Sequence, residues 1–364
     1  MQTIDYKEIL GHFQVEGTVK EVRPLGNGLI NDTLKVYTAE ADKPDYVLQR
    51  INNAIFTDVE MLQHNIQVVT SHIRKKLEER GEQDIDRKVL HFLEAEGGKT
   101  YWKDTEGRYW RVMVFIPDAK TYEAVTPEYS YFAGLAFGDF EKMLVDVPEE
   151  LGETIPDFHN LELRLRQLSE VVEKDPAGRV KEPKVQELLK LIEAHAEEMC
   201  KAEQLHREGK LPKRICHCDT KVNNMMFDSE GHILCVIDLD TVMPSFIFSD
   251  YGDFLRSAAN KTAEDDPDMS HVAFNEEIFK AFTKGYVESA GEFLTPIERE
   301  NLPYAVALFP FMQSVRFLWD YISGDHYWKC RYPEHNLDRA RNQMQLYKEV
   351  RAHDDMMKAF IASL

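Results

Sequence analysis

The hydrophobic period of this chain changes at one place, and that change limits the fold more than any other feature. Up to Ile116 the apolar residues fall in short alternating or β-branched segments, "GTVKEVRPL", "NDTLKVYT", "DYVLQRI", "KVLHFLEA" and "RYWRVMVFI", separated by Gly, Asn, Pro and Asp. That is the pattern of an antiparallel meander. One helix interrupts it: Leu62, Ile66, Val69, Ile73 and Leu77 recur at helical spacing behind a Thr57-x-x-Glu60 capping box. Pro117 and Asp118 then break the run. Beyond them the period is helical. "PEYSYFAGLAFGDFEKML" puts Phe132, Leu135, Ala136, Phe140 and Met143 on one stripe, and "PKVQELLKLIEAHAEEMC" repeats the pattern with Val185, Leu188, Leu189, Ile192 and Met199 behind a first-turn Pro183. Further helices run from about Phe274 to the end, and "KTAEDDPDMS" reads as a solvated loop. The expectation is an α+β, bilobal chain: a β-rich N-terminal lobe over 1–116 and a larger, mostly helical C-terminal lobe over 117–364. A small-molecule site is expected in the cleft between them.

Charge narrows the partners. With 44 Lys and Arg against 64 Asp and Glu the formal net charge is −20, whereas nucleic-acid binding draws its affinity from clustered cations on phosphates. No nucleic acid is expected, and a small anionic ligand would need a local cation. No apolar run approaches a membrane span and "MQTIDYKEIL" has no basic flank before an apolar stretch, so no membrane association and a cytoplasmic location are expected. The five cysteines form no C-x-x-C pair, which favours reduced thiols over disulfides, with Cys216 and Cys218 as small buried hydrophobes.

The stretch "CHCDTKVNNMMFDSEGHILCVIDLDT", residues 216–241, carries the densest chemistry. His217, Asp219 and Asn224 form H-x-D-x-x-x-x-N, and an apolar run then delivers Asp238. Phosphoryl transfer uses these parts at these offsets: a carboxylate to orient the attacking hydroxyl, and an amide and a second carboxylate as hard oxygen ligands for Mg2+. A lone Asp or Asn in a loop more often shapes an Asx-turn, and Asn223 is read that way. His217 is read as a structural histidine of the loop. Lys221 either reaches the transferring phosphoryl group or is simply solvated. Upstream, Gly26 and Gly28 in "GNGLIND" lie between two strands, where they form either a phosphate-approaching loop or an ordinary hairpin turn.

The segments "HCDTKVNN", "VIDLDTVMPS" and "SDYGDFLRSAAN" resemble the aminoglycoside phosphotransferase and choline kinase-like superfamily. The likeness extends to the N-acetylhexosamine 1-kinases through "YVLQRINNAIFTD", "FGDF" and "VRFLWDYISGDHYW" with "YPEHNL". This resemblance implies a protein-kinase-like fold whose first lobe binds nucleotide and whose second is catalytic and substrate-binding. It implies ATP and Mg2+ as cofactors, Asp219 as the residue that takes or orients the sugar hydroxyl proton, and Asn224 and Asp238 as metal ligands. Val114, Phe115 and Ile116 would offer backbone hydrogen bonds to adenine. Arg316 and Tyr327 would contact a sugar, although Arg316 could equally pair with Asp320 one turn on. Asp250 corresponds to a helix carboxylate beneath the catalytic loop, while Asp253 and Arg256 have the spacing to pair with each other. Two features depart from the pattern. Gln49 stands where protein kinases carry a lysine on the third strand, and Leu29 and Ser257 stand at positions that are His and Phe in an N-acetylhexosamine 1-kinase.

The implied activity is ATP-dependent phosphorylation of the anomeric C1 hydroxyl of an N-acetylhexosamine, GlcNAc or GalNAc. Other acceptors within the superfamily, namely an aminoglycoside, choline, homoserine or methylthioribose, remain open. So does a nucleotide-binding pseudokinase scaffold.

Overall fold

The structure is a computed structural model that describes residues 4–26, 30–122 and 125–364. It divides into two compact units, the first made of Met1–Thr121, Asp146–Pro156 and Met225–Met243, the second of Tyr122–Val145, Asp157–Asn224 and Pro244–Leu364.

The first unit opens with a short helix α1 (Tyr6–Leu10), started by the Asp5 carboxylate on the amides of Lys7 and Glu8. Strands β1 (Val19–Pro24), β2 (Asp32–Thr38) and β3 (Tyr46–Ile51) follow, then helix α2 (Val59–Glu79), one turn α3 (Ile85–Lys88), and strands β4 (Trp102–Lys103) and β5 (Tyr109–Val114). The five strands form one antiparallel sheet in the order β1-β2-β3-β5-β4. Leu34, Val36, Leu48, Trp110 and Val112 meet Ile9, Leu10 and Phe13 from the N-terminal segment to make the core. Alternation thus does place one face of these strands inside. Two local expectations are corrected. "KVLHFLEA" is not a strand; it follows β5 through an isolated bridge of Phe92 with Met113 and the bond from the Leu93 amide to the Val112 carbonyl. And α2 is capped by Asp58, whose carboxylate accepts the Met61 amide, not by a Thr57/Glu60 box. Both are cap-type residues, but the charged acceptor is favoured at a helix N-terminus, and Glu60 pairs with Lys99.

The chain continues through helices α4 (Pro127–Met143), α5 (Leu161–Lys174), α6 (Pro183–Met199) and α7 (Lys201–Arg207) of the second unit, and strand β6 (Arg214–Cys216). It then rejoins the first unit as a hairpin of β7 (Met225–Phe227) and β8 (Ile233–Val236), held by reciprocal backbone bonds between Phe227 and Lys120 at 2.8 Å. After β9 (Met243–Ser245) the second unit is completed by α8 (Phe248–Ala258), α9 (Glu276–Ala290), α10 (Pro296–Glu300), α11 (Leu302–Ser323), α12 (His335–Ala352) and α13 (Asp354–Ser363).

Of the expected stripe on α4, Ala136, Phe140 and Met143 are buried, while Phe132 and Leu135 are only partly covered; Ala133, Gly134, Phe137, Gly138 and Glu141 are buried as well. The buried face is therefore wider than the expected stripe. The cause is the packing of α4 on α9, which brings backbones together at glycines: a Cβ at Gly134 would lie 2.1 Å from the Phe282 carbonyl oxygen, and one at Gly285 would lie 2.1 Å from that of Tyr131. A face built from missing side chains leaves no apolar periodicity to read. Among the described residues the cysteines are all free thiols, with Cys216, Cys218 and Cys235 buried, and no helix is long and apolar enough to cross a membrane.

Candidate active site

The H-x-D-x-x-x-x-N segment is a turn held from beneath by one carboxylate. β6 delivers His217, Cys218 and Asp219 to a short 3-10 turn, Val222–Asn224. On α8 the fully buried Asp250 accepts the His217 amide at Oδ2 and the Cys218 amide at Oδ1, each at 2.7 Å, and its own carbonyl accepts the Thr220 hydroxyl at 2.7 Å. Cys218 has φ 63°, a left-handed conformation that costs a residue with a Cβ about 1–2 kcal/mol. The two charge-assisted bonds to Asp250 hold it there. The His217 ring lies edge-on to Phe137 and Phe140, and its Nδ1 accepts the Asp219 amide at 3.3 Å, which puts its proton on Nε2 in the neutral ring.

On this turn Asp219, Lys221 and Asn224 come together. Lys221 Nζ lies 2.8 Å from Asp219 Oδ2. Asn224 donates from Nδ2 to the Asp219 carbonyl at 2.8 Å, with the Asp219 carboxylate at 3.5 Å. That bond fixes which end of the Asn224 amide is the oxygen, and the side chain is buried. Asp219 keeps part of its carboxylate exposed. Lys221 thus forms an ion pair on the same turn while its side chain stays 43% exposed.

Asp238 belongs to the first unit, just after β8, in a left-handed conformation with φ 62° that Asp tolerates better than most residues. Two buried anchors fix its segment. Asp240 pairs with Arg111 Nη1 at 2.5 Å and accepts the Asn31 amide at 2.6 Å, and the Val242 carbonyl accepts the Asn65 amide of α2 at 2.9 Å. Sequence reading missed Arg111, Asp240, Asn31 and Asn65. Their partners lie far along the chain, and the one available signal was a lone arginine in the apolar run "RYWRVMVFI".

Gln49 faces Arg111 across β3 and β5; its Oε1 accepts Arg111 Nε at 2.9 Å and its Nε2 donates to the Thr33 hydroxyl. Arg50 turns to the opposite face and meets Asp32 at 2.6 Å. Position 49 thus carries an amide that is hydrogen-bonded to the guanidinium of Arg111 on the neighbouring strand. In the run Val114, Phe115 and Ile116, the first two amides already donate to the carbonyls of His91 and Asp45, both at 2.9 Å. Gly26 follows β1 with φ 70°, while Gly28 and Leu29 lie outside the described residues.

Arg316 and Tyr327 sit in the second unit and each contacts Trp328. The guanidinium lies 5.5 Å from the Phe158 ring and 5.3 Å from that of Trp328, and it donates to Gln313 at 2.7 Å. Tyr327 is exposed and stands edge-on to Trp328 at 4.5 Å. Asp320 does not serve as the partner of Arg316. It accepts the amides of His326, Tyr327 and Trp328 and the side chain of Asn336, all at 2.8–3.0 Å, and so wraps the loop that carries Tyr327. Burial and the neighbouring Arg164 pull the Arg316 pKa down to about 10. Asp253 and Arg256 do pair, at 2.8 Å, and Glu264 joins them.

Residues 21–290, more than half of the chain, match the model of a phosphotransferase enzyme family. Similar solved structures include an aminoglycoside phosphotransferase from Alicyclobacillus acidocaldarius, 12% identical, covering 100% of this chain and 98% of its own with a TM-score of 0.65. A spectinomycin phosphotransferase solved with ADP and spectinomycin is 12% identical over 97% of this chain and 99% of its own, TM-score 0.54. An ethanolamine kinase from Plasmodium vivax is 17% identical over 91% and 84%, TM-score 0.51. At these identities the likeness establishes the fold, α+β and of the protein-kinase-like kind.

Proposed function

The chain belongs to the phosphotransferase enzyme family, and from that premise we propose that it is an ATP-dependent small-molecule kinase acting on the anomeric C1 hydroxyl of an N-acetylhexosamine, GlcNAc or GalNAc. The observation that carries this reading is the Asp219 turn. One buried carboxylate, Asp250, fixes the backbone from which Asp219, Lys221 and Asn224 project, with Lys221 and the Asn224 amide both directed at Asp219.

In this reading Asp219 accepts a hydrogen bond from the acceptor hydroxyl and aligns its oxygen with the γ-phosphorus. The new P–O bond forms as the bond to ADP breaks, and the hydroxyl proton passes to Asp219 and then to solvent. Lys221 brings a cation to the same turn, which answers the need of a −20 chain for local positive charge. Asn224 and Asp238 are the residues assigned to Mg2+; an amide oxygen and a carboxylate are hard donors that suit it. Bound Mg2+ supplies neutralisation of the charge on the phosphoryl oxygens. Gly26, Gly28 and Gln49 are assigned to the nucleotide phosphates, and the Val114–Ile116 run to adenine through groups other than the Val114 and Phe115 amides.

Arg316 and Tyr327 are assigned to the sugar. A guanidinium beside two aromatic rings, its pKa lowered by burial and by Arg164, disfavours a cationic acceptor such as an aminoglycoside or choline and suits a neutral polyol. The test is a panel of N-acetylhexosamines, aminoglycosides, choline, homoserine and methylthioribose with ADP detection, followed by phosphorus NMR of the product. The reading expects an anomeric phosphate, recognised by its coupling to the ring H1 proton. A 6-phosphate, or turnover confined to a cationic acceptor, contradicts the sugar assignment. ATP binding without ADP from any acceptor contradicts the activity.

A further inference from the structure

α4 and α8 bring two acids together beneath the catalytic turn. Glu141 and Asp250 are both buried, and their carboxylate oxygens lie with the Cys216 sulfur within 4.8 Å of one another. The oxygens of Asp250 accept the amides of His217 and Cys218. Glu141 Oε2 accepts the Tyr286 hydroxyl at 2.5 Å, and Oε1 is buried with no hydrogen bond of ordinary geometry.

Two carboxylates this close in a dry interior cannot both be ionised. Compensation from cations is small. Arg214, the basic residue of β6, is engaged by both oxygens of Glu298 at 2.5 and 2.8 Å. The other titratable neighbours are Tyr286 on α9, Cys216 and Cys218, whose ionisation burial pushes far up, and the His217 ring against Phe137 and Phe140. A metal ion is the alternative occupant for three such ligand atoms. It does not fit, because two backbone N–H dipoles already point at the Asp250 oxygens and would oppose a cation. Burial and the nearby Asp250 hold the Glu141 carboxyl well above its ordinary range; burial raises that of Asp250 too, but the bonds from the His217 and Cys218 amides oppose the rise.

We propose that Glu141 and Asp250 share a single proton, carried on Glu141, and that Glu141 is thereby a positioning residue for the Asp219 turn. The pair then bears one negative charge, and Asp250 keeps it for the amides of His217 and Cys218. A second charge would drive the carboxylates apart, release Cys218 from its left-handed conformation and displace Asp219, its neighbour. The importance of that displacement for turnover rests on the proposed role of Asp219; the proton itself does not.

The test compares wild type, Glu141→Gln, which stays neutral and keeps a donor, and Glu141→Met, which keeps the volume alone. Infrared spectra of wild type minus Glu141→Gln near neutral pH, in which the contribution of any other protonated acid cancels, should show the C=O stretch of one protonated carboxylic acid, moved by D2O. Because a raised carboxyl pKa makes the folded chain bind more protons above the ordinary 4.5, wild-type stability should fall relative to Glu141→Gln as pH rises from there. Alkylation of the Cys218 thiol should accelerate about tenfold or more in Glu141→Met relative to Glu141→Gln, the loss of a hydrogen bond to a charged group. Spectra unchanged by Glu141→Gln overturn the shared proton. A lost band with equal Cys218 reactivity in the two variants overturns the positioning role. Neither readout requires a working substrate, so a failure of the kinase reading shows separately, in the acceptor panel.

Discussion

The guanidinium of Arg111 meets the carboxylate of Asp240 at 2.5 Å, with both side chains almost wholly buried. Asn31 and Gln49 complete the network, so the segment carrying Asp238 is fastened to the centre of the sheet. Removing one charge strands the other. Arg111→Met is expected to destabilise the protein by about 3–5 kcal/mol, and adding Asp240→Leu should recover part of that loss. Urea unfolding of the single and double variants measures both. A single variant as stable as wild type would mean that the pair contributes nothing.

Burial also sets a pH dependence remote from the Asp219 turn. Glu203 of α7 accepts the Leu161 amide at 2.8 Å, and desolvation raises its pKa from 4.5 to about 7. The folded chain therefore binds more protons than the unfolded chain between those values, and stability declines as pH rises through that window. The shift corresponds to about 3 kcal/mol. Glu203→Gln should remove this share of the decline, leaving that of Glu141. Thermal unfolding of both proteins from pH 4.5 to 7 tests it, and parallel curves would contradict it.

At the proposed sugar site, Arg316 depends on its plane, since it is flanked by Phe158 and Trp328. Arg316→Lys keeps the charge but not the stacking or the fork. The expected outcome is a KM for the acceptor raised about tenfold, equivalent to about 1.4 kcal/mol, with KM for ATP unchanged. A rise in both constants would point to a general structural defect.

Much of the frame was legible because several elements carry their own period. β2 alternates, β3 and β5 are short apolar runs, and α2 and α6 repeat at helical spacing, so the division into β-rich and helical parts follows from local pattern. The motif H-x-D-x-x-x-x-N was legible for the same reason: its parts lie on one turn. What the sequence concealed is long-range. Gly134 and Gly138 extend the buried face of α4 over positions with no apolar side chain to mark them. Asp320 looked like a helix-surface partner for Arg316 because i,i+4 spacing is local information, whereas the loop amides that claim it become neighbours only when the chain folds back. Glu141, Arg111 and Asp240 were concealed likewise, since charged residues read as surface until a buried partner is seen.

The central claim concerns Asp219, and the single-turnover rate of phosphoryl transfer in Asp219→Asn tests it most directly. Asparagine preserves the volume and the backbone bonds of the turn but cannot take the acceptor proton. The rate should fall about 10²–10⁴-fold while ATP affinity stays near that of wild type. An unchanged single-turnover rate, with nucleotide bound normally, would contradict the assignment of Asp219 as the catalytic carboxylate.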